Sequence, residues 1–297
     1  MANPSPSSSS AAGIAGAPQQ PNFRSIFGTD PLDEFTCFVG GWLYVAAQGG
    51  DVLEDLRGLE AKIGTLIDTR TGMRVQLPVA NETILSDTSN IRFESNMTTE
   101  QHRHYNNLLN SLVRPAPERP KVAYKRHNEI DYFFPSSQSN GGRGGGGREK
   151  VRVTREAESL RTKERGSVVK RRLANLEVYC PNRAFDYRIS VNLEIQTPEP
   201  SSSETHDFYR EKNRLSYTHP GMRIDLTQVK VPSQGAGEVS RDQSSRVERG
   251  GGGAAAGQMN GAAGGQDWTE YEDVIDRFLN DVRMLIRNAG GAGVGGG

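Results

Sequence analysis

Apolar and polar residues alternate without a break across residues 185–196, FDYRISVNLEIQ. Phe185, Tyr187, Ile189, Val191, Leu193 and Ile195 fall on one side; Asp186, Arg188, Ser190, Asn192, Glu194 and Gln196 fall on the other. Strand side chains point to opposite faces with period two, so this stretch predicts a strand with one apolar and one charged face. The same period recurs along the chain. In residues 59–66, Leu59, Ala61 and Ile63 alternate with Glu60, Lys62 and Gly64. Turn residues 68–72 lead into a predicted strand at 73–79, and 91–94 is another. Residues 122–134 and 150–154 predict a long hairpin around a Gly-rich loop, with Arg152 and Thr154 on one face. Residues 168–178 contain the basic run Lys170, Arg171, Arg172. Residues 212–218 and 222–229 form a predicted hairpin around His219-Pro220-Gly221; Arg214, Ser216 and Thr218 share one face, with Lys212 just before them, and Arg223, Asp225 and Thr227 share another.

Three stretches switch to a helical period. Residues 31–48 carry the stripe Leu32, Phe35, Phe38, Val39, Trp42, Leu43 and Ala46, with Asp30 as N-cap, Pro31 at the first position and Gly49 as stop. Gly40 and Gly41 weaken this helix by about 1 kcal/mol each, so packing must hold it. Thr98 and Gln101 predict a capping box for a helix running to about residue 113. Residues 269–288 are amphipathic, with Val274, Ile275, Phe278, Leu279, Val282, Leu285 and Ile286 on one side.

Composition divides the 297 residues into one foldable domain and its polar surroundings. Residues 1–22 read as a disordered arm and 290–297 as a disordered tail. The tract 23–289 reads as one domain with disordered insertions at 136–147 and 233–266. These Gly-, Ser- and Ala-rich segments bury too little apolar area to offset the entropy of ordering. The formal net charge is zero, which removes any global attraction for nucleic acid and leaves local basic clusters to act. The scattered histidines and two cysteines, Cys37 and Cys180, suggest neither a zinc site nor a disulfide scaffold. With no charged n-region before an apolar core and no run long enough to cross a bilayer, a soluble intracellular protein is expected.

The polar faces carry the candidate chemistry. For any one strand, a solvated face explains Arg and Glu well enough. The set Arg152, Arg188, Arg214 and Arg223 beside hydroxyls and carboxylates is better explained by a phosphate ligand, which arginine forks bind bidentately. If the helices cover the apolar faces, a barrel gives the polar faces an enclosed place. Such an interior is costly unless ligand, metal and paired charges fill it.

The motifs LEAKIG, KRRLANLEVYCPNRAFDYRISVNLE and NRLSYTHPGMRIDLTQV, in that order, resemble the fungal metal-dependent RNA 5′-triphosphatases. These are the beta subunits of the mRNA-capping enzyme, in the triphosphate tunnel metalloenzyme group. The resemblance runs from about residue 25 to 230 and resumes in the last helix. It implies an α+β fold, an eight-stranded antiparallel β-barrel (triphosphate tunnel) packed on helices. It implies removal of the γ-phosphate from the 5′-triphosphate end of nascent mRNA with Mn²⁺ or Mg²⁺, in the nucleus. The implied partners are that RNA end, the mRNA guanylyltransferase (capping enzyme alpha subunit) and a second copy of the chain, with no membrane. By position, Glu60 resembles a metal-binding and catalytic glutamate; Arg152, Lys212 and Arg214 match cations holding the phosphates; Glu194 matches a glutamate tied to the attacking water. Arg223, Asp225 and Thr227 match a supporting polar strand, and Lys170, Arg171 and Arg188 match tunnel-wall or entrance cations.

The chain departs from the family pattern twice. Gly58 stands where E-x-E-x-K has its first glutamate, so restoring a glutamate there is expected to raise metal affinity. The closing strand E-x-E-x-E has no counterpart in 233–266, so an incomplete barrel is expected. Two further readings therefore stand beside the enzyme. One is a catalytically impaired member that binds polyphosphate or RNA ends or docks the guanylyltransferase. The other is a phosphatase of free nucleotides or tripolyphosphate.

Overall fold

The computed structural model describes residues 33–48, 58–118, 120–136, 149–232, 240–249 and 265–289; in 47–48, 240–245, 247–249 and 265–270 it describes the backbone only. In chain order the elements are α1 (Glu34–Gln48), β1 (Leu59–Asp68), β2 (Thr83–Ile84), β3 (Ile91–Glu94), α2 (Thr99–Val113), β4 (Ala123–Pro135), β5 (Lys150–Glu156), β6 (Thr162–Tyr179), β7 (Asp186–Gln196), β8 (Phe208–His219), β9 (Met222–Val231), β10 (Ser240–Arg249) and α3 (Gly265–Arg287).

Eight of the strands form an antiparallel ring. β1 pairs with β7, then come β6, β5, β4, β8, β9 and β10, and β10 pairs back onto β1. The barrel therefore closes, and the expectation of a missing strand is corrected. β10 lies within the tract read as a disordered insertion; it pairs with β9 from Ser240↔Val231 to Arg249↔Met222 and with β1 from Glu60↔Glu248 to Ile63↔Ser245. Its sequence, SRDQSSRVER, gives no apolar period because Val247 is its one apolar residue. A ladder along its whole length to β9 and a four-residue ladder to β1 hold its backbone from both sides, which is why it can be a strand without a hydrophobic face of its own.

The apolar faces of the strands point outward and are covered by the helices. Val39 and Leu43 of α1, Tyr105 and Leu109 of α2, and Ile275, Phe278, Leu279 and Val282 of α3 share one core with Ala61, Ile63, Tyr187, Ile189, Ile224 and Leu226. At about 25 cal/mol per Å² of apolar area removed from water, this layer is what holds the barrel wall in place. Tyr105 fixes α2 to α3 by donating to the Leu285 carbonyl at 2.9 Å. The Thr98–Gln101 capping box forms as expected.

Smaller differences have local causes. Residues 73–79 are not a strand; a single bridge, Ile67↔Arg74, follows the turn in which Gly72 has φ +70°. Arg74 is diverted to Asp186, at 2.6 Å, and to the carbonyl of Cys180, while Val75 packs in a small cluster with Leu66 and Tyr179. The first helix begins at Glu34; Asp30, Pro31, Leu32 and Gly49 lie outside the described residues, as do 1–22, 137–147 and 290–297.

Candidate active site

Closing the ring turns the polar strand faces inward. Period two then fixes which side chains meet: Glu60 and Lys62 from β1, Glu129 and Asp131 from β4, Arg152 and Thr154 from β5, and Lys170 from β6. β7 adds Asn192 and Glu194, β8 adds Arg210, Lys212 and Arg214, and β9 adds Arg223, Asp225 and Thr227. From β10, Arg246 stands between Lys62 and Asp225 in register. The cavity they enclose is about 470 Å³, and among the described residues ten lysines and arginines line it against four glutamates.

Four buried carboxylates tie these cations into one connected network. Glu129 holds Lys163 at 2.5 Å, Lys212 at 3.2 Å and Arg214 at 3.5 Å. Asp131, wholly buried, accepts from Thr154 at 2.8 Å and pairs with Lys212 and Arg210, both at 2.9 Å. Asp225 accepts from Ser216 at 2.6 Å and faces Arg223, Arg214 and Arg246 at 3.3, 3.5 and 3.6 Å. Glu60 pairs with Lys170 and Arg246, both at 3.1 Å, and with Lys62 at 3.5 Å. Glu194, more exposed, pairs with Arg152 at 3.1 Å.

The titration behaviour follows from this crowding. Burial alone would raise the Glu60 carboxyl, but Arg246, Lys170 and Lys62 overcome it and hold it at about 2. Glu129, Asp131 and Asp225 are likewise lowered against burial by the cations on them. Burial pulls Lys212 down to about 8, with Arg214 adding to the fall and Asp131 and Glu129 opposing it. The carboxylates are therefore anionic at neutral pH and cannot serve as proton donors. A surplus of positive charge confined in a low-dielectric cavity is a site for a compact polyanion.

Comparison with known proteins agrees with that chemistry. The family model described as mRNA capping enzyme, beta chain, matches residues 29–290. The chain belongs to this family. The mRNA-capping enzyme subunit beta of Schizosaccharomyces pombe is 39% identical over 175 residues, 58% of this chain and 55% of the relative. The subunit beta of Cryptococcus neoformans is 31% identical over 277 residues, 91% of this chain and 65% of the relative. The chain thus spans between half and two thirds of the length of these curated relatives. A solved structure of the S. pombe Pct1 RNA triphosphatase superposes with TM-score 0.73 at 29% identity, covering 89% of this chain and 97% of that one. A second Pct1 structure, in complex with the Spt5 CTD, superposes with TM-score 0.71 at 28% identity, covering 89% and 98%.

Most of the residues that the sequence singled out for a capping enzyme beta chain meet in the cavity. Glu60, Glu194, Arg152, Lys212, Arg214, Lys170, Arg223 and Thr227 line it, and Asp225 lies buried beneath Arg214 and Arg223. Two do not join them. Arg171 points to the outer side of β6, where it pairs with Glu149 at 2.9 Å, because it alternates with the inward Lys170. Arg188 faces inward but is committed to Glu177 at 2.5 Å and stacks on Phe93 at 4.8 Å, away from the cavity wall. The residues that sequence reasoning missed include Glu129, Asp131, Lys163, Arg210 and Arg246. For β4 the signal was present, since Glu129 and Asp131 alternate with Ile130 and Tyr132. For Arg246 there was none.

The described donor set does not fit the expected Mn²⁺ or Mg²⁺. Among the described residues, no group of three His, Cys, Asp or Glu comes together. Hard divalent ions need several oxygens, and Glu60 offers one carboxylate already neutralised by three cations. Glu60 Oε1 and Asn192 Oδ1 are buried without hydrogen-bond partners, but Oε1 has the Lys62 ammonium at 3.5 Å. Unit charges roughly 4 Å apart interact by ~4 kcal/mol at an effective dielectric near 20, and a dication beside Glu60 would meet about twice that from each cation. Gly58 does not offer a seat for the missing glutamate. A Cβ there would lie 1.7 Å from the Asn192 carbonyl oxygen. Register does set Glu248 opposite Glu60, which makes it the one further carboxylate position on this ladder.

Proposed function

We propose that the chain acts on the 5′-triphosphate end of nascent RNA in the first step of cap formation, taking the triphosphate into the barrel and releasing its γ-phosphate. The observation that carries this reading is the excess of lysine and arginine inside a closed, polar-lined barrel. Phosphoryl transfer needs little covalent chemistry from the protein; positioning and charge stabilisation supply most of the rate. Arg214, Lys212, Arg152 and Arg210 bind the equatorial phosphate oxygens, and Glu129, Asp131 and Asp225 hold those cations in fixed geometry. Glu194 orients the attacking water from its place beside Arg152. No step is assigned to Mn²⁺ or Mg²⁺, whose expected seat at Glu60 is occupied by Lys62, Lys170 and Arg246. Work in cap formation puts the chain in the nucleus and beside a guanylyltransferase, and a homodimer is in keeping with the family resemblance.

The neutralised Glu60 favours a second reading, in which the chain holds the triphosphate end without turning it over. One experiment separates the two: phosphate release from, and binding of, 5′-triphosphate RNA, with Mn²⁺ and with EDTA. Release is the expected result. Binding without release would replace the first reading by the second. Failure to bind in either medium would sink both. A preference for free nucleotide over RNA would move the substrate to small molecules.

A further inference from the structure

One face of the cavity wall ends in aromatic rings that the phosphate site does not use. On β8 the inward series Arg214, Lys212, Arg210 ends at Phe208, and on β4 the inward series Glu129, Asp131 ends at Phe133. Phe133 and Phe208 are register partners, and Phe133 is also the partner of Arg152 on β5. Their rings are stacked, with centroids 4.5 Å apart and planes 10° from parallel. The Arg210 guanidinium, which lines the cavity, lies over Phe133 at 4.9 Å. Phe208 is the first residue of its strand and remains 37% exposed, whereas Lys212, two inward positions further on, is 7% exposed. Phe208 therefore keeps part of its ring open to solvent beside the charged cavity, stacked on Phe133 rather than buried with it.

We propose that Phe208, backed by Phe133, is a stacking seat for the 5′-terminal nucleobase of a triphosphate-ended polynucleotide whose phosphates lie on Arg210, Arg152 and Lys212. Two residues of antiparallel strand separate the ring pair from the Arg210–Asp131 level, roughly 7 Å. That is the scale of the step from a nucleotide's phosphate to its base, so one ligand can fill both places. Stacking tolerates any base, as a general RNA 5′ end requires, because every base presents a π-face. Lys150 rests over the Phe208 ring at 4.7 Å and pairs with Asp207 at 3.0 Å. Its flexible ammonium can leave that ring face when a base arrives. The seat gives the tunnel a reason to prefer an RNA end over inorganic polyphosphate.

This inference rests on the triphosphate-tunnel reading above. The test compares dissociation constants for a short 5′-triphosphate RNA, the same RNA with an abasic first nucleotide, and tripolyphosphate. Wild-type protein should bind the normal RNA about tenfold more tightly than the abasic one, within the range that base–aromatic stacking is worth by alanine substitution. Phe208→Ala and Phe208→Leu should remove that difference while leaving tripolyphosphate binding unchanged; the leucine keeps apolar bulk and loses the ring. Equal affinity of wild type for normal and abasic RNA, with tripolyphosphate bound well, would overturn the base seat alone. Loss of tripolyphosphate binding in both folded variants would make Phe208 structural. Wild type that binds no tripolyphosphate would overturn the tunnel reading and this inference with it.

Discussion

Lys212 is where burial and ligand charge meet most directly. Its free-state pKa of about 8 leaves it charged at pH 7 and increasingly neutral above pH 8. A bound polyphosphate favours the charged form, so affinity should be flat near pH 7 and weaken as pH rises past 8, by about tenfold at pH 9 from this one group. Ionisation of the phosphate itself works the other way, so the comparison is with Lys212→Arg, which stays charged throughout. Tripolyphosphate titrations at pH 7 and 9 should show a steeper loss for the wild type, and identical profiles would remove Lys212 from the site. Arg214 touches both Glu129 and Asp225. Arg214→Ala should slow phosphate release by on the order of 10²–10³-fold, like the loss of one oxyanion donor, and unchanged turnover would exclude it from the reaction. Gly58 gives the opposite kind of prediction. With the Asn192 carbonyl 1.7 Å from any added Cβ, Gly58→Ala should cost about 1–3 kcal/mol or more by urea unfolding. A Gly58→Glu chain should be destabilised rather than gain a metal ligand.

At the scale of elements, β10 decides whether there is a tunnel at all. It is hydrogen-bonded on both sides, with Ser245 opposite Leu226 and Ile63. Proline cannot donate to a ladder and is not tolerated in a central strand. Ser245→Pro should therefore raise amide exchange along β9 and the first half of β1, while β4 and β5 keep their protection; unchanged exchange in β1 would mean that β10 is not part of the wall. This strand also shows the limit of reading the sequence. β7 was legible because Tyr187, Ile189 and Val191 must be buried under the helices, and burial imposes period two. β10 carries only Val247 on an otherwise polar segment, so neither face writes a hydrophobic pattern and its place is set by partners distant in sequence. The site divides in the same way. Lys170 and Arg171 are neighbours in sequence on opposite sides of the wall, and alternation alone tells them apart. That Arg188 is spent on Glu177 could not be read, because their pairing depends on the register shift in β6 between Arg172 and Ala174.

For the whole molecule, the contrast is between a chain with no net charge and a cavity lined, among the described residues, by ten cations and four glutamates. Non-specific attraction to RNA grows with the number of phosphates neutralised on an exposed surface, and with it the dependence on salt. On the proposed function the attraction is enclosed, so it would reach the end of an RNA and not its length. A dinucleotide and a 20-nucleotide RNA, each with a 5′-triphosphate, should bind within about tenfold of one another. Replacing the triphosphate by a 5′-hydroxyl should cost far more than shortening the chain. Fluorescence anisotropy at low and moderate salt would measure both, with the salt slope set by the few phosphates at the end rather than by RNA length. Affinity that climbs steadily with length, or that survives loss of the triphosphate, would place the RNA on the outer surface and leave the tunnel without its substrate.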